Sequence, residues 1–388
     1  MPSALPDPVL TPWRHALRPL WTLQPDMHFL NHGSFGAAPK SVLRAQRRWQ
    51  ARLERQPVHF MRSVLPEALQ RVRARLAAWL GTQPERLGLV DNATTGVNAV
   101  LRSIPWRSGD RIVMLDDAYL AVRHSVDHLA RQHDLRVTRV PLTLPLRDVE
   151  DVADALLDAC APDTRLLIVD HIVSTLAVVL PLSNLIARAH QRGIAILVDG
   201  AHAPGMLPLQ LDALGADWYC GNAHKWMLAP KGCAFVVAHP KQAATLHPAV
   251  ISNFYGQGLA AEFDWQGTRD PSAWLALDAA LDFLDALPPA RYREALRHQA
   301  HDSAQLLMQR WQVQALAPLG AFAAMVTLPM PVGESGEAAA RQWQQRLWRQ
   351  HRIEVPVLAL RDRLWVRVSA QIYNDLSDVE ALAQALRP

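Results

Sequence analysis

Lysine is nearly absent from this chain. Of 40 Lys and Arg residues only four are Lys, at positions 40, 225, 231 and 241, and the rest are Arg. Arg serves most roles that need a surface cation, so a retained Lys asks what a guanidinium could not do there. An amine that loses its proton and forms an imine is one answer, and a solvated charge after a strand is another. Cysteine is scarce too: Cys160, Cys220 and Cys233 are odd in number and fall in no CxxC or metal-ligand spacing. That argues against a disulfide framework and a metal centre and fits a reducing, cytoplasmic setting. No apolar run has the length of a membrane span, and the Pro-rich start MPSALPDPVLTPWRHALRPL lacks a signal-peptide core. Charge of one sign is also lacking, with a net +4 over 388 residues and no Lys/Arg block, so no nucleic-acid partner is expected. The densest basic cluster, Arg44, Arg47, Arg48, Arg52 and Arg55, has helical spacing around Leu43 and Leu53 and reads as a solvated helix face.

What is present is an alternation of short apolar runs and amphipathic segments. Strands are expected at 111–116, 135–141, 165–171, 194–199, 217–220 and 233–238, with helices at 96–104, 119–132, 148–160 and 183–192. Continuous apolar strands alternating with helices indicate an α/β fold with a parallel sheet covered on both faces. After about residue 270 the pattern changes to helices at 272–286, 290–311 and 336–350 around short strands near 321–328 and 364–369, as in a smaller α+β domain. The segment before residue 30 has too little core of its own and is expected to pack on that domain. No internal repeat or low-complexity linker is visible.

In open α/β sheets the ligand lies beyond the carboxyl ends of the strands, so the polar residues following each strand are the ones to inspect. Asp199-Gly200-Ala201-His202 follows one apolar run, and Asn222-Ala223-His224-Lys225 follows the next candidate strand. Read alone, Asp199 could cap a turn and Lys225 could be a surface charge. Together, an acid and an amine at neighbouring strand ends are the pair that pyridoxal 5'-phosphate (PLP) needs: a Lys for the Schiff base and an acid to keep the ring nitrogen protonated. Asp91-Asn92-Ala93-Thr94-Thr95-Gly96 opens a helical run and could cradle a phosphate on free N–H and hydroxyl groups, or simply cap the helix. Tyr119 could face the ring, while Asp170-His171 and Ser174 could reach its hydroxyl.

The segments LNHGSFGAAP (30–39), NATTG (92–96), DHIVS (170–174), VDGAHAPG (198–205), NAHKW (222–226) and GTRDPS (267–272) together resemble the class V aminotransferase family, in its isopenicillin N epimerase-like branch. The resemblance runs from about residue 13 to the C-terminus. It implies the fold-type-I PLP architecture: a large domain over 31–265 with a mostly parallel, seven-stranded sheet, a small α+β domain over 266–388, and residues 1–30 packed on the latter. It also implies the site. Lys225 would form the Schiff base and shuttle the α-proton, Asp199 would pair with the pyridinium nitrogen, and His202 would bond near the ring hydroxyl. Thr94, Thr95, Asn222 and His224 would hold the phosphate, with Tyr119 and Ser174 as further cofactor contacts. Thr268 would reach the phosphate of a neighbouring subunit, implying a homodimer with shared sites. Arg367 would grip the carboxylate of an amino-acid substrate, with Asn31, His32 and Ser34 lining the same side. Two departures stand out: Ser174-Thr175-Leu176 where Ser-Pro-Thr is expected, and Asn222 where many relatives have Ser.

The expected activity is that of a PLP-dependent enzyme acting at the α-carbon of an amino acid, in the first place an epimerase. A second base would then be needed, with His32, Tyr255 and Tyr373 as candidates. A C–S lyase or an aminotransferase is the alternative. A desulfurase with a nucleophilic Cys before the carboxylate-binding Arg is disfavoured, because residues 351–366 contain no Cys. A non-catalytic PLP-binding regulator is the reading from another class; no helix-turn-helix-sized extension precedes Trp13, and both Asp199 and Lys225 are present.

Overall fold

The computed structural model describes residues 17–386, so the first sixteen residues of the expected N-terminal segment and the last two of the chain lie outside the described residues. Strand β1 (His28–Phe29) precedes the main sheet, which consists of β2 (Leu87–Val90), β3 (Arg111–Leu115), β4 (Arg136–Val140), β5 (Thr164–Asp170), β6 (Ala195–Gly200), β7 (Trp218–Asn222) and β8 (Ala234–Ala238). Their order is β2-β8-β7-β6-β5-β3-β4. The strands from β7 to β4 are parallel, and β8 runs antiparallel to both of its neighbours.

The physical reason is legible in the runs Ile112-Val113-Met114-Leu115, Leu166-Leu167-Ile168-Val169 and Ile196-Leu197-Val198, which are buried throughout. Such strands need cover on both faces, and helices such as Ala93–Ser103, Leu120–His133 and Leu182–Gln191 supply it. Edge strand β4 instead exposes Arg136 and Arg139, charges that discourage pairing with another chain. Strand β2 did not stand out in the sequence because Gly88 interrupts it. A Cβ there would collide with the Phe263 ring, so the glycine permits a close approach.

A three-stranded antiparallel sheet in the C-terminal part is formed by β9 (Met325–Pro329), β11 (Val357–Leu360) and β12 (Arg363–Ser369), in the order β11-β12-β9. Strand β10 (Ile353–Glu354) pairs in parallel with β1, tying the start of the described chain to its C-terminal part. Trp21 reinforces that tie, packing edge-on against Phe283 and Tyr373 at 5.6 and 5.0 Å. The helix expected over 272–286 is divided at Ala276 into Ser272–Leu275 and Leu277–Asp285. The basic residues of helix Lys40–Arg55 face solvent, as their spacing suggests. Among the described residues no helix is long and apolar enough to cross a membrane.

Candidate active site

The carboxyl ends of β3, β5, β6 and β7 open on one cavity of about 480 Å³. Asp170 ends β5, Asp199 lies at the end of β6 directly beside it in register, and Asn222 ends β7. Of the residues singled out from the sequence, Ser34, Thr94, Tyr119, Ser174, Asp199, His202, Asn222, His224 and Lys225 line this cavity.

At its floor Lys225 Nζ lies 3.2 Å from His202 Nε2. Burial, and then the charge of Arg367, lower the Lys225 amine from 10.5 to about 7, with Asp199 acting in the opposite direction. A buried amine that sheds its proton near neutrality is a nucleophile in waiting. Burial also keeps the His202 imidazole well below its ordinary value, helped by the Lys225 charge. Its Nδ1 is buried without a hydrogen-bond partner. Asp199 accepts from the Ala201 N–H at 3.0 Å, and no cation forms an ion pair with it among the described residues. Burial raises both Asp199 and Asp170, and the Asp199 charge pushes Asp170 further, well above the carboxylate range. The Ala201 N–H and Lys225 act against that rise at Asp199 and favour its charged form.

At the opposite wall, helix Ala93–Ser103 points its N-terminus at the cavity. Asn92 caps it by accepting from Thr95 N at 2.9 Å, and Asn222 Oδ1 accepts from Ala93 N at 2.8 Å. Asn222 thus orients the helix end, and Thr94 keeps both N–H and hydroxyl free of partners among the described residues. His224 Nδ1 donates to the Cys233 carbonyl at 3.1 Å, which leaves Nε2 toward the cavity, and burial lowers the ring to about 4. An anion there would draw His224 into its protonated, donating form.

The substrate-facing residues form a chain of contacts. Arg367 Nη1 donates to the Ser174 carbonyl at 2.6 Å and to Ser174 Oγ at 3.2 Å, and Nη2 donates to Ser34 Oγ at 3.2 Å. The guanidinium is buried without a carboxylate partner, and its Nε has no hydrogen bond among the described residues. It sits behind the two serines that line the cavity rather than in the wall itself.

Several expectations are corrected by this geometry. Asn31 and His32 do not line the cavity. The Asn31 amide donates to Glu354 at 2.9 Å while its oxygen accepts from Ser34, so it acts on Ser34 from behind. His32 is fully buried with both ring nitrogens engaged, so it is no second base. Tyr373 is buried behind His32, and Tyr255 is exposed beside His247; neither is a lining residue. Thr95 turns back, its Oγ1 bonding Asn92 at 3.1 Å. His171 faces the other side of the sheet, 2.9 Å from the Tyr219 hydroxyl, because neighbouring strand residues alternate between faces. Thr268 is expected at the site of a neighbouring subunit, and in its own subunit it lines a separate cavity of about 710 Å³ with Met61, Arg62, Phe254 and Trp265. Conversely Phe35 and Lys231 line the first cavity without having been assigned to it. Lys231, six residues after Lys225 in Pro-Lys-Gly, carried a signal only as the second lysine of a lysine-poor segment.

The residues fit PLP. They offer an unpaired buried carboxylate, an amine poised near neutrality, a helix N-terminus with free donors, and two orphaned buried nitrogens, at His202 Nδ1 and Arg367 Nε. Buried polar atoms without partners are costly unless a ligand supplies them.

Comparison with known proteins places these features in context. The family description "Aminotransferase class-V" matches residues 36–382. The chain is 36% identical to isopenicillin N epimerase of Amycolatopsis lactamdurans, over 98% of this chain and 99% of the relative. It is 32% identical to a probable chloroplastic L-cysteine desulfhydrase of Arabidopsis thaliana, over 93% of this chain and 82% of the relative. Among solved structures it is similar to the cystine C–S lyase C-DES in complex with cysteine persulfide, with a TM-score of 0.82 at 23% identity over 94% of this chain and 99% of that one.

Proposed function

Because the chain belongs to the class V aminotransferase family of PLP-dependent enzymes, we propose that it transforms an amino acid at its α-carbon, with Lys225 binding the cofactor and moving the proton. The observation that carries this reading is the buried Lys225 amine, lowered to about 7 and set beside His202 at the end of a sheet whose next strand presents Asp199. Bound PLP supplies an electron sink that acidifies the substrate α-proton. Asp199 would hold the ring nitrogen in its protonated form, Thr94 with His224 and Asn222 would hold the phosphate, and Tyr119 would cover one ring face. Arg367 lies just behind Ser34 and Ser174, so it would receive the substrate carboxylate by exchanging those serine contacts for it, and Lys225 Nζ would take the α-proton.

Within that chemistry, we place β-elimination of a sulfur-bearing group first. Elimination needs one base, and the cavity offers it in Lys225. Epimerisation needs a second base on the opposite face, and His32, Tyr255 and Tyr373 all lie outside the cavity wall. A desulfurase thiol is not at hand, since Cys160, Cys220 and Cys233 do not line the cavity and burial pushes all three thiols up. Relatives bearing the desulfhydrase and C–S lyase names agree with this choice. Epimerisation is the second reading, favoured by the identity to isopenicillin N epimerases, and Tyr119 is the cavity phenol it would have to use. We also infer a homodimer. Val58, Phe254 and Tyr255 are exposed apolar residues around the cavity that holds Thr268, and a second copy would cover them.

Incubation of the PLP-loaded protein with a panel of amino acids in deuterated water tests the choice. Cysteine or cystine should yield keto acid together with free sulfur product. Deuterium at the α-carbon without keto acid would overturn elimination in favour of epimerisation. Lys225→Ala should lower turnover by on the order of 10⁴-fold and abolish the visible absorbance of lysine-bound PLP. Sedimentation at micromolar concentration checks the dimer.

A further inference from the structure

The turn that carries Lys225 is strained. Leu228 closes it by donating its N–H to the Lys225 carbonyl at 3.1 Å, and to do so it adopts a left-handed backbone with φ 64°. That conformation costs a non-glycine residue on the order of 1–2 kcal/mol and persists only where surrounding contacts hold it. The contacts come from the opposite end of the chain. His32 Nε2 lies 3.1 Å from the same Lys225 carbonyl, and His32 Nδ1 lies 2.7 Å from the Tyr373 hydroxyl. The imidazole packs at 4.8 Å from the Trp226 ring, next to Lys225. Gly36, at φ 69°, lets the same loop lie flush on this main chain, because a Cβ there would collide with the His224 carbonyl.

The partners fix the direction of each hydrogen bond. A carbonyl only accepts, so His32 Nε2 must carry the proton and donate to Lys225. In a neutral ring Nδ1 is then an acceptor, and Tyr373 must donate its O–H to it. Neutrality is secured by burial, the largest cause, which with the charges of Lys231 and Lys225 lowers His32 to about 3. Burial also raises Tyr373 well above its ordinary value, so its hydroxyl keeps its proton.

We propose that Tyr373 and His32 form a positioning relay. Tyr373 braces the His32 ring by donating to Nδ1, and His32 in turn pins the Lys225 main chain so that Nζ stays aimed at His202 and the cavity. His32 and Tyr373 touch neither the cavity nor its contents; they act through the Lys225 backbone. The proposal rests on Lys225 being the cofactor-bearing residue.

Three variants and one combination test it, all as PLP-loaded protein. Tyr373→Phe keeps the ring and removes only the donor to His32 Nδ1, so the imidazole loses its brace and its hold on the Lys225 carbonyl loosens. Turnover should fall about tenfold with KM within about twofold. The pH midpoint of the visible cofactor band should also move, because the amine is no longer held in the same surroundings. His32→Leu should do the same. His32→Gln retains an N–H donor for the Lys225 carbonyl that does not depend on the Tyr373 brace, so it should keep most of the turnover. In the His32→Gln background Tyr373→Phe should then have little further effect. A merely structural tyrosine would cost the same in both backgrounds. Equal costs, or an unchanged band midpoint and turnover in Tyr373→Phe and His32→Leu, overturn the relay. Retention of the band in Lys225→Ala would instead overturn the assignment of Lys225, which keeps the two failures distinguishable.

Discussion

Two aspartates stand at opposite ends of the same pair of strands, β6 and β7, and they are treated very differently. Asp217, just before β7, is fully provided for: its carboxylate accepts from Ile196 N, from Gln242 Nε2 and from His190 Nε2, each at 2.9 Å. Asp199, at the far end of β6, is the more deeply buried and accepts only the Ala201 N–H at 3.0 Å, with no ion-pair partner among the described residues. The difference separates a carboxylate that stabilises the fold from one that the fold tolerates. A buried charge left so short of partners is destabilising unless something else is bound there. The same contrast holds between the ends of the sheet at large. The amino-terminal end carries the Arg111–Asp163–Arg136 cluster, whereas the carboxyl end gathers Asp170, Asp199, His202 and Lys225.

The contrast breaks most sharply at Asp199. Asp199→Asn should lower turnover by about 10²–10³-fold, a loss of the size seen when one preorganised electrostatic partner is removed. The cofactor-free protein should unfold at an equal or higher denaturant concentration, since an uncompensated buried charge has gone. A loss of stability that matches the loss of activity would place Asp199 with the structural carboxylates. Arg367→Lys comes next. Lysine cannot reproduce the planar fork that reaches both Ser34 and Ser174, so kcat/KM should fall by on the order of tenfold or more, mainly through KM. Steady-state kinetics on the amino acid that turns over best would check it.

How far the sequence discloses this arrangement depends on what each feature rests upon. The strands β3, β5, β6 and β7 are visible because their central residues are apolar and buried on both faces. The residues just past them are then fixed by the fold, which is why Asp199, Asn222, His224 and Lys225 could be named in advance. Strand β2 was hidden by Gly88, whose presence makes sense only once Phe263 is seen against it. Strand β12 was expected near 364–369, but its partner β11 was hidden because the turn between them places Arg361 and Asp362, not Gly or Asn, at φ 50° and 58°. In the loop Asn31-His32-Gly33-Ser34 the composition suggests a site, but which side chain enters depends on distant partners. Glu354 draws Asn31 away and Tyr373 draws His32 away, leaving Ser34 in the wall.

The pH dependence sharpens the comparison between the ends of the sheet. Burial lowers His32 to about 3, and His171 and His224 to about 4, from 6.5 in the unfolded chain. Below about pH 6.5 the unfolded chain takes up protons that the native state refuses, so stability falls with pH and the loss is complete near pH 3–4. Asp170 and Asp199 act in the opposite sense, because the native state protonates them first as the pH drops. The histidine part can be isolated: His171→Phe should flatten the fall of the denaturant midpoint of cofactor-free protein below about pH 6.5. Lys225 adds a rise on the alkaline side, because the native state sheds its proton at about 7 and the unfolded chain at 10.5. That rise should vanish in Lys225→Ala.

The smallest effect on catalysis is expected at Asp217, and it is the control that gives the others meaning. Asp217→Ala removes three acceptor contacts at once and strands the Ile196 N–H at the entrance of β6. Loss of a hydrogen-bonded anchor of this kind costs about 1–2 kcal/mol, at the low side of the usual range because His190 is partly exposed and water can replace its contact. Yet β6 is held along its length by β5 and β7, with Leu197 opposite Trp218 and Asp199 opposite Cys220, so the register at the far end should survive. Turnover should stay within about twofold of the parent protein, while the denaturant midpoint falls measurably. A large drop in turnover would mean that strain at the amino-terminal end is transmitted along β6 to Asp199. The two ends would then have to be treated as one mechanical unit rather than as a scaffold and a site.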